Sequence, residues 1–521
     1  MKGLPAETDF VVMGAGVAGL RAAIELAAAG RVLVLAKAEH SSVAPTPGAV
    51  PNALSDEEEV ILHLRDTLIT GDGLCLPEAV KILVEEGVER IGELIGWGRQ
   101  LERNGNKLIF ESEASYSHSH ILRAPGDAVA NEIMRRLHAK VRTCKNISLL
   151  EFQFPTSLLT ENQRVTGLSL LSEKDLPQQI SCSAVMVATG GCGQLYRDTT
   201  NPETATGDGV ALAFRAGAEI SDLEFVQFHP TVLYMKKAPR FLLAEGLRRE
   251  GGYLRNIEMD RFMGKYHPLA EMAPPDIVAR AIMHEMEVSR SRDPFVYLDL
   301  THLNAARVQK HFPRIYAACM QRNIDITEDV IPIRPAAHCS IGGVRTDLNG
   351  KSSLAGLYAA GESAATGVHG ANRFASNSLL EGLVYGARAG KAMRDELRHA
   401  RRPASPQKQA ASQNGPVDTA MEDLIGQIQG IMWKDAGLVR SRTGMQEAIK
   451  ALEELSPRLS HQRTRRSHEA ANLHLTGLLV ARSALAREES RGAHYRTDYP
   501  MHDDKKFLKH SVVKSDSLRF V

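Results

Sequence analysis

The sequence predicts an α/β fold, from three observations. A strand, a glycine turn, a helix and a second strand follow one another within the first 35 residues. Two further strands, far down the chain, each run into a glycine. The C-terminal part carries apolar residues at helical spacing.

The first element is the apolar run Asp9-Phe-Val-Val-Met13, which reads as a buried strand. The turn after it, Gly14, Ala15, Gly16, Val17, Ala18 and Gly19, has the G-x-G-x-x-G spacing. Gly14 suits a tight turn, Gly16 a close backbone approach to a pyrophosphate, and Gly19 close packing of helix on strand. Leu20–Ala29 follows at helical spacing, Gly30 closes it, and Arg31–Leu35 is the second strand. Its helix N-terminus would face the anion. The acid that usually binds a ribose is missing after the second strand, where the chain reads Ala36-Lys37-Ala38-Glu39. Either Glu39 is displaced, or backbone and Lys37 hold the ribose.

Ala184-Val-Met-Val-Ala-Thr189-Gly190-Gly191 and Gly356-Leu-Tyr-Ala-Ala-Gly361-Glu362 are the two returning segments. Three such segments spread over roughly 350 residues predict one discontinuous, Rossmann-like domain interrupted by an insertion. Residues 397–420 are polar and rich in Pro, Gln and Ala, and read as a linker. Beyond them Ile425, Ile428, Met432, then Met445, Ile449, Leu452, then Leu475, Leu478 and Leu479 predict a helical hairpin or three-helix bundle. The basic run Arg463-Thr-Arg-Arg466 reads as a solvated helix face.

Composition narrows the function. The 521 residues carry 63 Lys and Arg against 62 Asp and Glu, a net charge of +1, which offers no general attraction to nucleic acid or anionic lipid. Six scattered cysteines without CxxC pairs predict neither a metal centre nor a disulfide framework, but reduced thiols in a cytoplasm. No apolar run reaches membrane-spanning length.

The ordered set of motifs resembles the flavoprotein family of succinate dehydrogenase and fumarate reductase, and within it the L-aspartate oxidases. It comprises the Gly14 turn, Ala188-Thr-Gly-Gly191, Asn201-Pro202 with Thr206-Gly-Asp208-Gly209, and Glu224-Phe-Val-Gln-Phe-His229-Pro-Thr231. It continues with Leu243-Ala-Glu245-Gly-Leu-Arg248, Pro335-Ala-Ala-His338, Gly361-Glu362 and Gly370-Ala-Asn-Arg373-Phe-Ala-Ser-Asn-Ser378-Leu379. Arg440-Ser-Arg-Thr and the segment Glu488–Pro500 extend the likeness to the tail.

The resemblance implies an FAD-binding domain over 1–228 and 341–396, an inserted α+β capping domain over 229–340, and a C-terminal helical domain over 418–521. It implies FAD on the Gly14 turn, near Lys37, Ser41, Ser42, Gly48, Thr189, Gly190, Gly191, Asp208, Glu362, Ser378 and Leu379. No histidine stands where membrane-bound relatives attach FAD covalently, so the expected FAD is non-covalent. It implies a dicarboxylate clamp of His229, His338 and Arg373, with Glu113 and Gln227 as further pocket residues. The chemistry agrees: Arg373 can grip one carboxylate in a fork, and the histidines can donate to the other.

Two departures stand out. The family's Ser-Thr-x-x-Ala-Gln-Gly-Gly loop is replaced by Ser41-Ser-Val-Ala-Pro45-Thr-Pro47-Gly48-Ala-Val-Pro51, stiffened and poorer in donors. The family's catalytic Arg-Asp is replaced by Pro275-Asp276, although its relay partners Glu245 and Arg248 remain and Arg280 follows about 1.4 turns on. A proline has no proton to give. Succinate and fumarate chemistry need an acid or base at the neighbouring carbon, whereas a neutral amine can expel hydride unaided. The expectation is therefore oxidation of L-aspartate to iminosuccinate, with O2 or fumarate as reoxidant and quinolinate synthase as the functional partner on the way to NAD. The alternatives are a flavin-binding homologue with impaired catalysis and a succinate or fumarate oxidoreductase.

Overall fold

The computed structural model describes residues 4–39, 50–51, 57–97, 103–104, 107–108, 110–111, 121–122, 129–236, 240–375, 377–397, 419–459 and 462–521. Within them β1 (Phe10–Met13), α1 (Val17–Leu26) and β2 (Val32–Leu35) follow in the expected order. The helix stops four residues before Gly30, and Asn146 from a later loop donates its amide to the carbonyls of Ala27 and Gly30 beyond its end. A partner 119 residues from Ala27 carries no local signal.

β1 is the centre of a five-stranded parallel sheet ordered Leu357–Ala359, Ala184–Val187, β1, β2, Ile147–Leu150. Both returning segments thus lie on one side of β1, and the sheet is discontinuous in sequence. Alternate side chains of β1 enter two different cores: Val11 and Met13 one, Phe10 and Val12 the other. That is why the run is apolar throughout rather than alternating.

The second core is closed by a long helix. Asn377–Leu397 packs along α1 with Gly382, Gly386 and Gly390 at four-residue spacing toward it. A Cβ on Gly386 would fall 2.6 Å from the carbonyl oxygen of Ala18. Gly386→Leu is therefore expected to destabilise by about 3 kcal/mol, since overpacking forces two helices apart. The reading is a lower urea midpoint, accompanied by weaker FAD retention because α1 carries the glycine turn. An unchanged midpoint would refute the packing argument.

Between these segments the chain builds a second, antiparallel sheet. Its order is Phe241–Leu242, β3 (Val226–Leu233), Ile331–Ser340, Val296–Asp299, Tyr253–Arg255. It has its own core, including Leu243, Leu254, Phe262, Val278, Ile282 and Ile333. α2 (Gly246–Arg249) and α3 (Pro275–Val288) belong to it. α3 begins at the second of two prolines, with Asp276 in its first turn, a favourable helix start.

Three helices, Thr419–Asp435, Arg442–Leu455 and Arg465–Ala486, pack on one another as the periodicity predicts. The tail is not helical to its end. Ser511–Lys514 and Ser517–Phe520 form a hairpin that joins Ile220–Ser221, Gly343–Arg345 and Ala364–Ala365 in one sheet. The junction is ionic and buried. Arg487, 0% exposed, donates to Glu224 (2.8 Å), Glu489 (2.9 Å) and the carbonyls of Phe507 and Lys509.

The basic run near 463–466 is not a plain solvated face. Thr464 caps the helix, and Arg466 reaches Glu422 and Glu469. Cations at a helix start oppose the helix dipole, and these carboxylates offset that cost. All six cysteines are unpaired. Among the described residues no helix is long and apolar enough to cross a membrane, and no cluster of His, Cys, Asp and Glu could hold a metal ion.

Candidate active site

The glycine turn lies against the first returning segment. Gly14 has φ +111°, and a Cβ there would sit 2.0 Å from the Ala188 carbonyl oxygen. Gly16 caps α1 with no side chain, and a Cβ on it, or on Gly190, would meet nothing within 4 Å. The uncapped N–H groups of α1 therefore face open space beside Thr189–Gly191, a site for an anion. Ala15 and Val17 are half-buried beside this opening, and Ala18 packs under Gly361. Glu362, next to Gly361, accepts from the Ser340 N–H (2.9 Å), and burial raises its pKa. The Thr189 hydroxyl accepts from Gly209 at the start of helix Asp208–Arg215. A bare helix start beside two open glycines and a buried carboxyl fits the pyrophosphate and polar ring edge of FAD.

Lys37 and Asp208 meet each other rather than standing free. The Lys37 ammonium bonds Asp208 (2.8 Å), Glu469 (2.9 Å), the Thr206 hydroxyl and the Thr204 carbonyl. Asp208 also accepts from Thr206 and from Asn472 (2.8 Å). A buried ammonium recruits carboxylates, and Glu469 comes from the C-terminal helices, which the sequence around Lys37 could not reveal. Ser41, Ser42, Gly48 and Glu113 lie outside the described residues.

The second group of side chains converges at the root of the inserted sheet. Gln227 and His229 are two apart on β3 and so share a face. His338 comes from the paired strand Ile331–Ser340. Arg373 enters from the loop before helix Asn377–Leu397. Its Nε donates to the Gln227 Oε1 (3.0 Å), and Gln227 returns a bond to the Arg373 carbonyl (3.0 Å). Its Nη1 donates to Ser378 Oγ (3.0 Å) and to the Ala375 carbonyl. Its Nη2 makes no hydrogen bond among the described residues. Leu379, beside Ser378, packs on the second core.

The rings of His229 and His338 stand edge to face, 5.6 Å between centroids. His229 Nδ1 accepts from the Thr231 N–H (3.3 Å), which leaves its proton on Nε2. His338 Nδ1 bonds the Thr200 hydroxyl (2.9 Å), and Asn201 holds the His338 carbonyl (2.6 Å). Burial pulls His229 down to about 3, helped by Arg248 and Arg373. Burial, then Arg373 and His229, takes His338 well below the ordinary histidine range. Both rings are neutral donors at pH 7.

Linkage gives a sign to this. The ordinary histidine value is 6.5, so below it an unfolded chain protonates this position while folded His229 waits until about 3. Stability therefore falls as pH drops through that window. From His229 the expected loss between pH 7 and pH 5 is on the order of 1 kcal/mol, after allowance for residual solvent access. Urea unfolding at the two pH values reads it, and His229→Asn removes that share. An equal slope in both proteins would contradict it.

Arg248, on α2, is buried; Nη1 donates to the Glu271 carbonyl (2.7 Å), and Nη2 stands 3.9 Å from Glu245. Arg280 does not reach toward the histidines through any bond in the structure: it pairs with Asp276 (2.9 Å) and lies 4.6 Å over the Tyr495 ring. Sequence reading missed Thr200, Asn201, Thr231 and Asn372, which bond His338, His229 and Gln227. All four stand inside or beside the quoted motifs, the only signal that could have found them.

Comparison with known proteins places this geometry. Residues 9–379 match the FAD binding domain family, and residues 426–520 match the fumarate reductase flavoprotein C-terminal family. The chain is 40% identical to the L-aspartate oxidase of Streptomyces coelicolor over 531 residues, covering 97% of this chain and 91% of that protein. It is likewise 40% identical to L-aspartate oxidase 1 of Ralstonia nicotianae, covering 94% and 95%. The FrdA chain of Escherichia coli quinol fumarate reductase superposes with a TM-score of 0.87 at 28% identity, covering 99% of this chain and 96% of that one. By a family match over residues 9–379 and near-full-length relatives at 40% identity, the chain belongs to the L-aspartate oxidase family of flavoproteins, with FAD as its cofactor.

Proposed function

We propose that this protein oxidises L-aspartate to iminosuccinate, supplying a quinolinate synthase on the route to NAD. The observation that carries the reading is the convergence of Arg373 with two neutral histidines, His229 and His338, at the root of the inserted sheet. Non-covalently bound FAD supplies the two-electron acceptor for the α-hydride. It would be held by the turn Gly14–Gly19, Thr189–Gly191, Glu362 and the helix start at Ser378-Leu379, with Lys37 and Asp208 buttressing its edge. The polypeptide does the rest. Arg373, oriented by Gln227 and Ser378, grips one carboxylate through Nη2. His229 and His338 donate to the diacid without adding charge. The amine gives its proton to solvent before the cap closes, a loss that the Arg373 cation favours, and its lone pair then drives departure of the α-hydride. Residues 229–340 act as a cap that excludes water, between the halves 1–228 and 341–396 of the FAD-binding domain and ahead of residues 418–521.

Either O2 or fumarate can take the electrons onward, and Pro275 favours O2, because reducing fumarate needs a proton delivered to carbon. The test is aerobic turnover of L-aspartate, with oxaloacetate and ammonia formed in step after imine hydrolysis. No product above the no-enzyme control would refute the reading.

Pro275 also favours a second reading, a flavin-binding homologue whose catalysis is impaired. Helix α3 starts at that proline, and Arg280, the next arginine along it, is occupied by Asp276 and Tyr495.

A further inference from the structure

We propose that Arg248 binds the second carboxylate of the diacid, so that the substrate is held between two guanidinium groups; this rests on the dicarboxylate reading above. Arg248 is 3% exposed, yet its Nε and Nη2 have no hydrogen-bond partner. Its one side-chain hydrogen bond among the described residues is from Nη1 to the Glu271 carbonyl (2.7 Å). Glu245 stands 3.9 Å from Nη2, outside hydrogen-bond reach.

Other buried arginines with an unpaired nitrogen are anchored differently. Arg21 has Glu25 at 2.7 Å, Arg90 has Glu93 at 2.9 Å and Arg136 has Glu132 at 2.6 Å. Arg440 makes three hydrogen bonds, to the carbonyls of Gly437 and Glu224 and to His494. Arg248 has neither a carboxylate in contact nor a second acceptor.

The unpaired nitrogens are also the right two. Nε and Nη2 form one edge of the guanidinium plane, and two parallel N–H groups on that edge match the two oxygens of a carboxylate. A buried donor edge left unpaired is costly, so an arriving anion is favoured there. The fold brings α2 beside the strand that carries His229. Leu243 and Thr231 exchange two hydrogen bonds, 3.0 and 2.9 Å, which strap the approach to α2 onto β3 two residues after His229. The cation also helps to depress His229. With Pro275 at the start of α3 and Arg280 occupied, Arg248 is a buried arginine near His229 that keeps a donor edge open.

The FAD-loaded protein is titrated with succinate and with butyrate, which has the same chain length and one carboxylate fewer, and binding is read by calorimetry. The parent is expected to prefer succinate by about tenfold to a hundredfold, the worth of a charged hydrogen-bonded contact. Arg248→Met should bring the two ligands within about threefold while leaving butyrate binding unchanged. Arg248→Lys, which keeps the charge and loses the fork, should fall between, and it decides the matter if the methionine variant does not hold FAD. Variants that keep the parent's full preference overturn the assignment of Arg248 alone. A parent without preference overturns the dicarboxylate reading together with it.

Discussion

Arg373→Ala is expected to lower kcat/KM for L-aspartate on the order of a thousandfold, because it removes the cation that pairs, through Nη2, with a desolvated carboxylate. The protein should still fold and hold FAD. Arg373 reaches the core only through Gln227, Ser378 and the Ala375 carbonyl, each of which has other partners or lies beside solvent. Arg373→Lys should recover little, since an ammonium cannot reproduce a fork already fixed at one end by Gln227. Steady-state kinetics on FAD-matched samples decide the point. A loss below tenfold would remove Arg373 from the clamp.

Pro275→Arg is the second large effect, and it concerns the electron acceptor. The substitution places a proton donor at the start of α3, where the family's motif has its arginine and where Arg248, bonded to the Glu271 carbonyl just before that helix, stands 3.9 Å from Glu245. Fumarate-dependent reoxidation should rise by about a hundredfold or more, the usual worth of general acid catalysis. Aspartate oxidation with O2 should change far less, because the amine lone pair does not need that acid. Stopped-flow reoxidation of the reduced protein with each acceptor separates the two. Equal gains with O2 and fumarate would show that the proline impairs the site as a whole, and that result would favour the second reading.

Much of this architecture was legible because its signals are short. The apolar run Phe10–Met13, the Gly14 turn and the strands Ala184–Val187 and Leu357–Ala359 each declare themselves within a dozen residues. Their assembly into one sheet follows from a turn that needs a neighbour at Ala188. The remainder was hidden by distance along the chain. Ser511–Lys514 pairs with Ile220–Ser221 across 290 residues, and no alternation within either strand names its partner. A lysine after β2 looks the same in sequence whether it faces a ribose or, as here, Glu469. The site splits the same way. His229, His338 and Arg373 were marked by motifs, whereas the Thr200 hydroxyl that orients His338 lies 138 residues from it. The open donor edge of Arg248 exists only once Glu245 is seen to stand 3.9 Å away.

The most direct test is a visible spectrum of the purified, FAD-loaded protein, mixed with L-aspartate in the absence of oxygen. Loss of the flavin band, complete with one equivalent of aspartate per bound FAD and reversed by air, is the predicted result. A band that persists in saturating aspartate, while the same protein is bleached by dithionite, would contradict the account.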